Sequence, residues 1–417
     1  MKHTFRMIIG MLLIAIPLCG TAQVKPEKPE GPKPKMEKPE RPDKPVMRPD
    51  RPEMRPDGPM RPGDPMRPEG PKPGMNEPKG GLEAPKISGF VQGLYQANFD
   101  KDFDLQSNTF RMRRVRMSVE GKLTKALSYK IQGDFSRSPM MVDAFLKYKL
   151  CNEFAIQVGQ FKTPFTLESP INPVNLEIFD YGESVQKLVG YSDVCGVGGL
   201  GRDIGIMASG NLFPVEGKDF TLVTYSLGVF NGNGPCTTDN NKRKDIAGRL
   251  EVHPMMKDLT LSASFYNGKY KSSSAEGTRN RWSAGAQFND GDLLIRAEYL
   301  SGTTGNVTEI LDDNNNLVKD ELYRNSQGYY AVAGYNLKVG KGQKLMPVVR
   351  YEHFAPGDFQ STIQGSTDLY TVGINYWPLK SVNFKLDYSL IQETLIQDNN
   401  KTTGKAHRVV GILSYKF

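Results

Sequence analysis

The stretch Phe110–Leu123, FRMRRVRMSVEGKL, alternates apolar and polar side chains, the period of a β-strand with two unlike faces. Val115, Met117, Val119 and Leu123 share one parity, while Arg114, Arg116, Ser118, Glu120 and Lys122 share the other. Upstream the parity slips, because Phe110 and Met112 are apolar with Arg111 and Arg113 between them. A β-bulge at Arg113–Arg114 returns both halves to one face and gathers four arginines there. No water-soluble core absorbs such a face. An apolar stripe against lipid, opposite a charged and hydrated face, suits the wall of a transmembrane barrel.

The same alternation recurs through the second half of the chain. Leu127, Tyr129, Ile131 and Phe135 oppose Ser128, Lys130, Gln132 and Asp134; Val142, Ala144, Leu146 and Tyr148 oppose Asp143, Phe145, Lys147 and Lys149. Later runs keep it, as in Val382–Leu390, where Asn383, Lys385, Asp387 and Ser389 take the polar parity. No apolar stretch reaches helix-spanning length, which is what a barrel requires, since only every second residue meets lipid. The pattern predicts about 16 antiparallel strands over 87–417, among them 109–123, 292–301 and 327–338. Short turns such as Thr124–Lys125 and Asp290–Gly291 alternate with longer loops near 100–108, 162–201, 231–244, 302–326 and 393–405. The link Arg137–Met140 is short where a long one is due. A large secreted β-sandwich or β-helix explains this alternation of connectors less well.

Ahead of that part lie two segments of different character. Residues 1–22 carry Lys2 and Arg6, an apolar run from Met7 to Leu18 and a small-residue close at Gly20-Thr21-Ala22, the plan of a cleaved signal peptide. Residues 23–86 form a Pro-rich, low-complexity linker with 18 of the chain's 29 prolines and a recurring Met-Arg-Pro unit at Met47, Met54, Met60 and Met66. Proline at such density favours extended polyproline II, and the scarcity of apolar residues forbids a core, so a disordered periplasmic spacer is expected. Its alternating charges also suit contact with peptidoglycan.

Charge and cysteine content exclude several classes. The net charge of +8 falls mostly outside the alternating part, which from residue 87 onward holds 37 basic and 34 acidic side chains. No nucleic-acid partner is expected from so even a balance. Cys151, Cys195 and Cys236 remain after the leader, an odd, scattered set that reads as free thiols. No nucleophile elbow, phosphate-binding loop or zinc signature is present, so no enzyme, cofactor or metal is expected. Asp312-Asp313-Asn314-Asn315-Asn316 has part of a calcium loop's spacing without its glycine and glutamate, and reads as a polar turn.

A barrel of this size encloses an aqueous channel whose selectivity depends on lumenal side chains and infolded loops. The longest connector, Lys162–Gly201, is the constriction candidate, with Lys162, Glu168, Glu177, Asp180, Glu183 and Lys187 as its charged residues, together with Asp193. The candidate pore-lining cations are Arg111, Arg113, Arg114, Arg116, Lys122, Lys130 and Lys147. The loop's net charge of −3 points to a general, cation-tolerant or carbohydrate-admitting pore, or to a loop braced by the strand-two arginines.

Several segments resemble the phosphate-selective porin O/P family: FRMRRVRMSVEGKL itself, Tyr129–Phe135, Gly159-Gln160-Phe161-Lys162-Thr163-Pro164-Phe165, Arg202-Asp203-Ile204-Gly205, Val229–Gly232, Arg249–Pro254 and Asn375–Pro378. The resemblance implies a homotrimeric outer-membrane channel of 16 strands, without enzymatic activity, that guides anions such as phosphate by arginine and lysine. The terminal alternating strand ending in Phe417 resembles the signal read by the barrel assembly machinery. A Gram-negative outer membrane, with its lipid and lipopolysaccharide, is the implied setting. The competing reading is a barrel anchor that uses the Pro-rich segment and loops as binding modules.

Overall fold

The computed structural model describes residues 84–254, 256–271, 276–311, 317–358, 364–397 and 400–417. Among them are β1 (Lys86–Asp100), β2 (Leu105–Lys122), β3 (Leu127–Asp134), β4 (Met141–Lys149), β5 (Ala155–Lys162) and β6 (Arg202–Pro214). There follow β7 (Thr221–Phe230), β8 (Asp245–Val252), β9 (Leu259–Lys271), β10 (Glu276–Asn289), β11 (Leu293–Leu311) and β12 (Leu317–Tyr335). The last are β13 (Leu337–Gly340), β14 (Gln343–Ala355), β15 (Gln364–Leu379), β16 (Val382–Gln397) and β17 (Asn400–Lys416). β13 continues β12 past Asn336, and both pair with β14, so the wall is crossed sixteen times.

Apart from β12 and β13, which form one interrupted strand, each strand pairs antiparallel with its chain neighbour, and β1 pairs with both β2 and β17, which closes a single sheet into a barrel. Closure abolishes exposed edges and satisfies the backbone within the sheet, the condition for crossing a bilayer with strands. Outward faces carry a band of exposed apolar residues, among them Met117, Ile206, Phe265, Trp282, Val349 and Leu386. The inward parity is polar. Arg116, Ser118, Gln132, Ser283, Arg296, Arg350, Asn375 and Lys385 are all buried inside the barrel. This inversion leaves no sandwich or β-helix to consider.

The bulge expected in β2 is present. Gln92 pairs with Arg114 and Gly93 with Met112, leaving Arg113 as the extra residue. Arg111 then stands opposite Leu94, on the lumenal register with Arg114 and Arg116. A second shift, between Gln132 and Gly133, places Val142 as the extra residue of β4, and it is fully buried rather than outward like Leu146 and Tyr148.

Two expected loops are strand. β11 and β12 pair from Leu293–Tyr335 out to Leu311–Leu317, so most of 302–326 is a long hairpin. β16 and β17 pair out to Gln397–Asn400, and the loop near 393–405 shrinks to its tip. Both segments carry β-branched residues (Thr303, Val307, Ile310; Thr394, Thr402, Thr403) that favour the strand. Beyond the lipid band neither face needs to be apolar, so the alternation that marks the wall fades there. Likewise the loop near 100–108 is a turn over 101–104. The Asp312–Asn316 turn lies outside the described residues.

The seam between first and last strands is tight. Gly89 and Phe417 exchange two backbone hydrogen bonds of 3.0 Å. A Cβ at Gly89 would lie 2.4 Å from the Phe417 ring and 2.4 Å from the Arg116 carbonyl oxygen, whereas one at Gly93 meets nothing within 4 Å. Overpacking of this kind costs about 1–3 kcal/mol. Gly89→Val is therefore expected to reduce the heat-modifiable, compact band in unheated gel electrophoresis, while Gly93→Ala leaves it intact.

Candidate functional site: the loop-lined restriction

The connector between β5 and β6 lies inside the barrel. It contains a 3₁₀ turn, Pro173–Asn175, capped by the Asn172 side chain, and a helix α1, Glu183–Val189. α1 stops at Gly190, whose φ of 95° is the left-handed cap that glycine supplies without strain. Val185, Leu188 and Val189 recur at helical spacing and form its buried face. That face joins Phe165, Leu176 and Ile178 of the loop in one apolar cluster with Phe230, Tyr266, Leu300, Tyr330 and Val348 of the wall. Gly328 of β12 admits the helix, since a Cβ there would stand 2.6 Å from the Ser184 side chain.

Burying each such side chain is worth about 1.5–3 kcal/mol. Six of them on the loop outweigh the extra closure entropy of a long connector, which grows by only about 0.6 kcal/mol per doubling of length. Apolar burial holds the loop in. Polar contacts set where it lies.

The loop's carboxylates find guanidinium groups on several walls. Glu168, fully buried, meets Arg350 of β14, whose Nη2 donates at 3.2 Å, and Arg296 of β11 at 3.4 Å. Glu177 accepts from Arg296 Nη2 at 2.6 Å, and Asp193 from Arg281 Nη2 of β10 at 2.6 Å. Asp180 pairs with Arg113 of β2 at 2.9 Å. Backbone contacts add to these: Thr166 N–H donates to Ser264 Oγ at 2.9 Å, Leu167 N–H to Glu298 at 2.7 Å and Glu183 N–H to Glu352 at 2.6 Å. The Glu183 and Lys187 side chains pair with each other along α1 at 3.6 Å. Strand two therefore takes one loop carboxylate, Asp180, and arginines of β10, β11 and β14 take Asp193, Glu177 and Glu168.

What remains is a cationic surface on β2, the β3–β4 turn and the loop's roots. Arg113 donates to Gln92 at 2.7 Å, Arg116 holds Asp134 at 2.9 Å, and Arg114 stands 3.9 Å from the same carboxylate. Arg137, in the β3–β4 turn, is 3.4 Å from Asp134. At the root of the loop, Arg202 bonds Asp143 at 2.7 Å. Lys162 Nζ donates to the Tyr181 hydroxyl and the Ile171 carbonyl at 3.1 Å each, and to the Ser169 carbonyl. Six cations thus face Asp134, Asp143 and Asp180. Burial, with the Arg114 charge adding to it, pushes Arg137 down to about 10. Across from this wall stand Tyr181 and Tyr191, ring centroids 4.6 Å apart.

The sequence-derived candidates divide accordingly. Arg113, Arg114, Arg116 and Lys162 belong to this group, with Asp180 opposite. Arg111 is exposed and bonds only Gln96, at 3.4 Å, among its described hydrogen bonds. Lys122, Lys130 and Lys147 sit toward the short-turn end, Lys130 beside Glu120 at 3.7 Å. Arg137, Arg202, Asp134 and Asp143 were not among the candidates. Lumenal parity flags Asp134 and Asp143, but nothing in a turn's sequence flags Arg137. Cys151, Cys195 and Cys236 are free, and burial pushes the Cys195 thiol up to about 11, with Asp193 adding to it.

Burial alone would raise Glu168, Asp180 and Asp193, but Arg350 and Arg296, Arg113 and Arg114, and Arg281 respectively bring each below the usual carboxylate range. A depressed carboxyl contributes its anchoring fully above the unfolded-state value and loses it as pH falls through the folded one. Single-channel conductance is thus expected to stay level from about pH 8 to about pH 5 and to change only below about pH 4, where carboxylates begin to protonate. Glu168→Gln, which leaves two guanidinium groups facing a neutral amide, is expected to weaken loop docking by about 3–5 kcal/mol. Protease cleavage within 163–201 reads that loss directly.

Comparison with known proteins places this geometry. The model of the family "Phosphate-selective porin O and P" matches residues 86–417. Among solved structures, the chain resembles the anion-selective porin from Comamonas acidovorans, with a TM-score of 0.55 at 13% identity over 80% of this chain and 99% of that one. It also resembles the outer membrane channel DcaP of Acinetobacter baumannii, with a TM-score of 0.54 at 14% identity over 80% and 97%. Salmonella typhi OmpF in complex with daunomycin gives 0.51 at 12% over 80% and 98%. A search of the curated proteins finds no match by sequence. A closed sixteen-crossing barrel with an infolded loop and a family match across its whole length is a passive diffusion channel of a Gram-negative outer membrane. The chain belongs to the phosphate-selective porin O and P family.

Proposed function

We propose that this porin passes small hydrophilic solutes with a preference for anions, phosphate among them. One observation carries the preference: around the restriction, Arg113, Arg114, Arg116, Arg137, Lys162 and Arg202 face three carboxylates. Cations gathered in a low-dielectric constriction focus potential and concentrate anions. The acidic loop does not cancel this, because Glu168, Glu177 and Asp193 are neutralised by Arg350, Arg296 and Arg281 on the far walls. In a salt gradient the reversal potential is expected to show anion preference, and Arg114→Ala combined with Arg137→Ala to reduce it. Cation preference in the unaltered channel overturns the reading.

The setting follows from the same reading. Residues 1–22 act as a cleaved signal peptide, and 23–86 as a periplasmic linker that reaches peptidoglycan. The protein carries no catalytic role. The channel assembles as a homotrimer, for which the trimeric form of Vibrio cholerae OmpT is support by likeness of fold. Its apolar band meets outer-membrane lipid and lipopolysaccharide, and the Phe417 end is read by the barrel assembly machinery. Deleting residues 24–80 is expected to abolish cofractionation with peptidoglycan without changing conductance.

A further inference from the structure

The short connectors lie at one end of the wall, the periplasmic end in a barrel of this type. Their charge is uneven. Connectors 215–220, 253–258 and 290–292 carry five acidic side chains against two lysines. Further round the barrel, the β13–β14 hairpin holds Lys338, Lys341 and Lys344, and the β15–β16 turn holds Lys380. No Asp or Glu occurs in 336–351 or 369–386, so neither element supplies a counter-charge of its own. Asp292 of the β10–β11 turn acts on Lys344, whose ammonium group also lies 5.0 Å from the centre of the Trp377 ring. Lys338, Lys341 and Lys380 are exposed, and none pairs with a carboxylate among the described residues.

The hairpin is also built differently from the rest of the wall. β11 begins at Leu293, opposite Tyr335, so Leu337–Gly340 has β14 on one edge and no strand on the other. Gly334 pairs with Val348 and Leu337 with Leu345, so the register of β12 carries through Asn336. Leu337 and Val339 therefore keep the outward parity of Tyr335. Leu337, Val339 and Leu379 of the next turn are 41%, 51% and 61% exposed, an apolar surface that continues the lipid band. Tyr335 and Trp377 are residue types that mark a membrane–water boundary. One stretch of rim thus turns apolar side chains to the bilayer and holds unpaired ammonium groups at its boundary.

A lysine stem lies along apolar surface and carries its charge to the headgroup layer, where clustered ammonium groups attract anionic headgroups. A zwitterionic headgroup brings its own cation and gains less. We propose that the β13–β14 hairpin and the β15–β16 turn form a site for an anionic phospholipid of the periplasmic leaflet. Lys338, Lys341 and Lys380 hold its phosphate, and its acyl chains lie along Leu337, Val339 and Leu379. The proposal rests on the barrel spanning the outer membrane and not on the anion preference of the restriction, which lies on other strands.

Lipid retention tests it with the full-length protein, reconstituted into vesicles of phosphatidylethanolamine and phosphatidylglycerol, extracted in mild detergent and weighed by native mass spectrometry. Phosphatidylglycerol is expected to be retained in several-fold excess over its share of the vesicle. Lys→Arg at 338, 341 and 380 together keeps that excess, Lys→Gln lowers it several-fold, and Lys→Glu, which leaves the open edge of β13 charged, abolishes it. No excess in the unaltered protein, or an excess unchanged by Lys→Gln and Lys→Glu in protein that keeps its compact unheated band, overturns the assignment. So does loss of cosedimentation with peptidoglycan in the Lys→Gln protein with its lipid excess intact, which gives these lysines to the cell wall. A cation-preferring reversal potential with the lipid excess intact would instead remove the anion preference and leave the lipid site standing.

Discussion

A carboxylate sealed between two guanidinium groups is the constraint on which the interior of this barrel depends. Glu168 is fully buried, Arg296 is 1% exposed and Arg350 is fully buried in side chain, so none of the three can meet bulk water. The desolvation of such a group rivals its Coulombic return, and pairs like these seldom add much net stability. Their force is conditional. Arginines on the inward faces of β11 and β14 are sustainable only with a partner, and the loop supplies it. The apolar cluster then provides the energy of docking, while the ion pairs fix where the loop lies.

On the proposed reading, that arrangement gives the restriction its preference for anions. On sequence totals, an acidic loop inside a barrel argues for a cation-tolerant pore. In the folded molecule most of those acids are neutralised far from the passage, on β10, β11 and β14. Asp180 alone among the loop carboxylates pairs with strand two. The net charge of a loop is therefore a poor guide to the field in its channel. What matters is which wall each carboxylate reaches, and the cations left on β2 and at the roots of the loop set the balance.

Much of this was legible before any coordinates. Parity located the wall, the slip at Arg113–Arg114 located the bulge, and the length of 162–201 singled out the constriction loop. Each is a local property of a strand or a connector. The misses share a cause as well. The hairpin of β11 and β12 beyond the lipid band lost its alternation because water lies on both faces. Lumenal parity showed that Arg281, Arg296 and Lys385 point inward but not what they meet, since Asp193–Arg281 joins residues 88 apart and Lys385 reaches the Leu176 carbonyl across 209. Pairings of that range are set by the path of the loop, which no local pattern encodes.

The lumen is consequently asymmetric in a way that a ring of strands is not. One side is filled by a protein core as dry as that of a soluble domain, with Val185, Leu188 and Leu300 wholly buried. The other carries the cationic surface of β2 and the loop's roots, and beside it β15 and β16, whose Asn375 and Lys385 donate to the Glu177 and Leu176 carbonyls of the loop. Both meet the same short stretch of loop. A substitution in the apolar cluster acts on both sides at once by moving the loop, whereas one at Arg114 acts on the cationic surface alone. Because the apolar cluster holds the loop and the arginines of β2 set the charge beside it, the stability of the loop and the proposed anion preference can be altered separately.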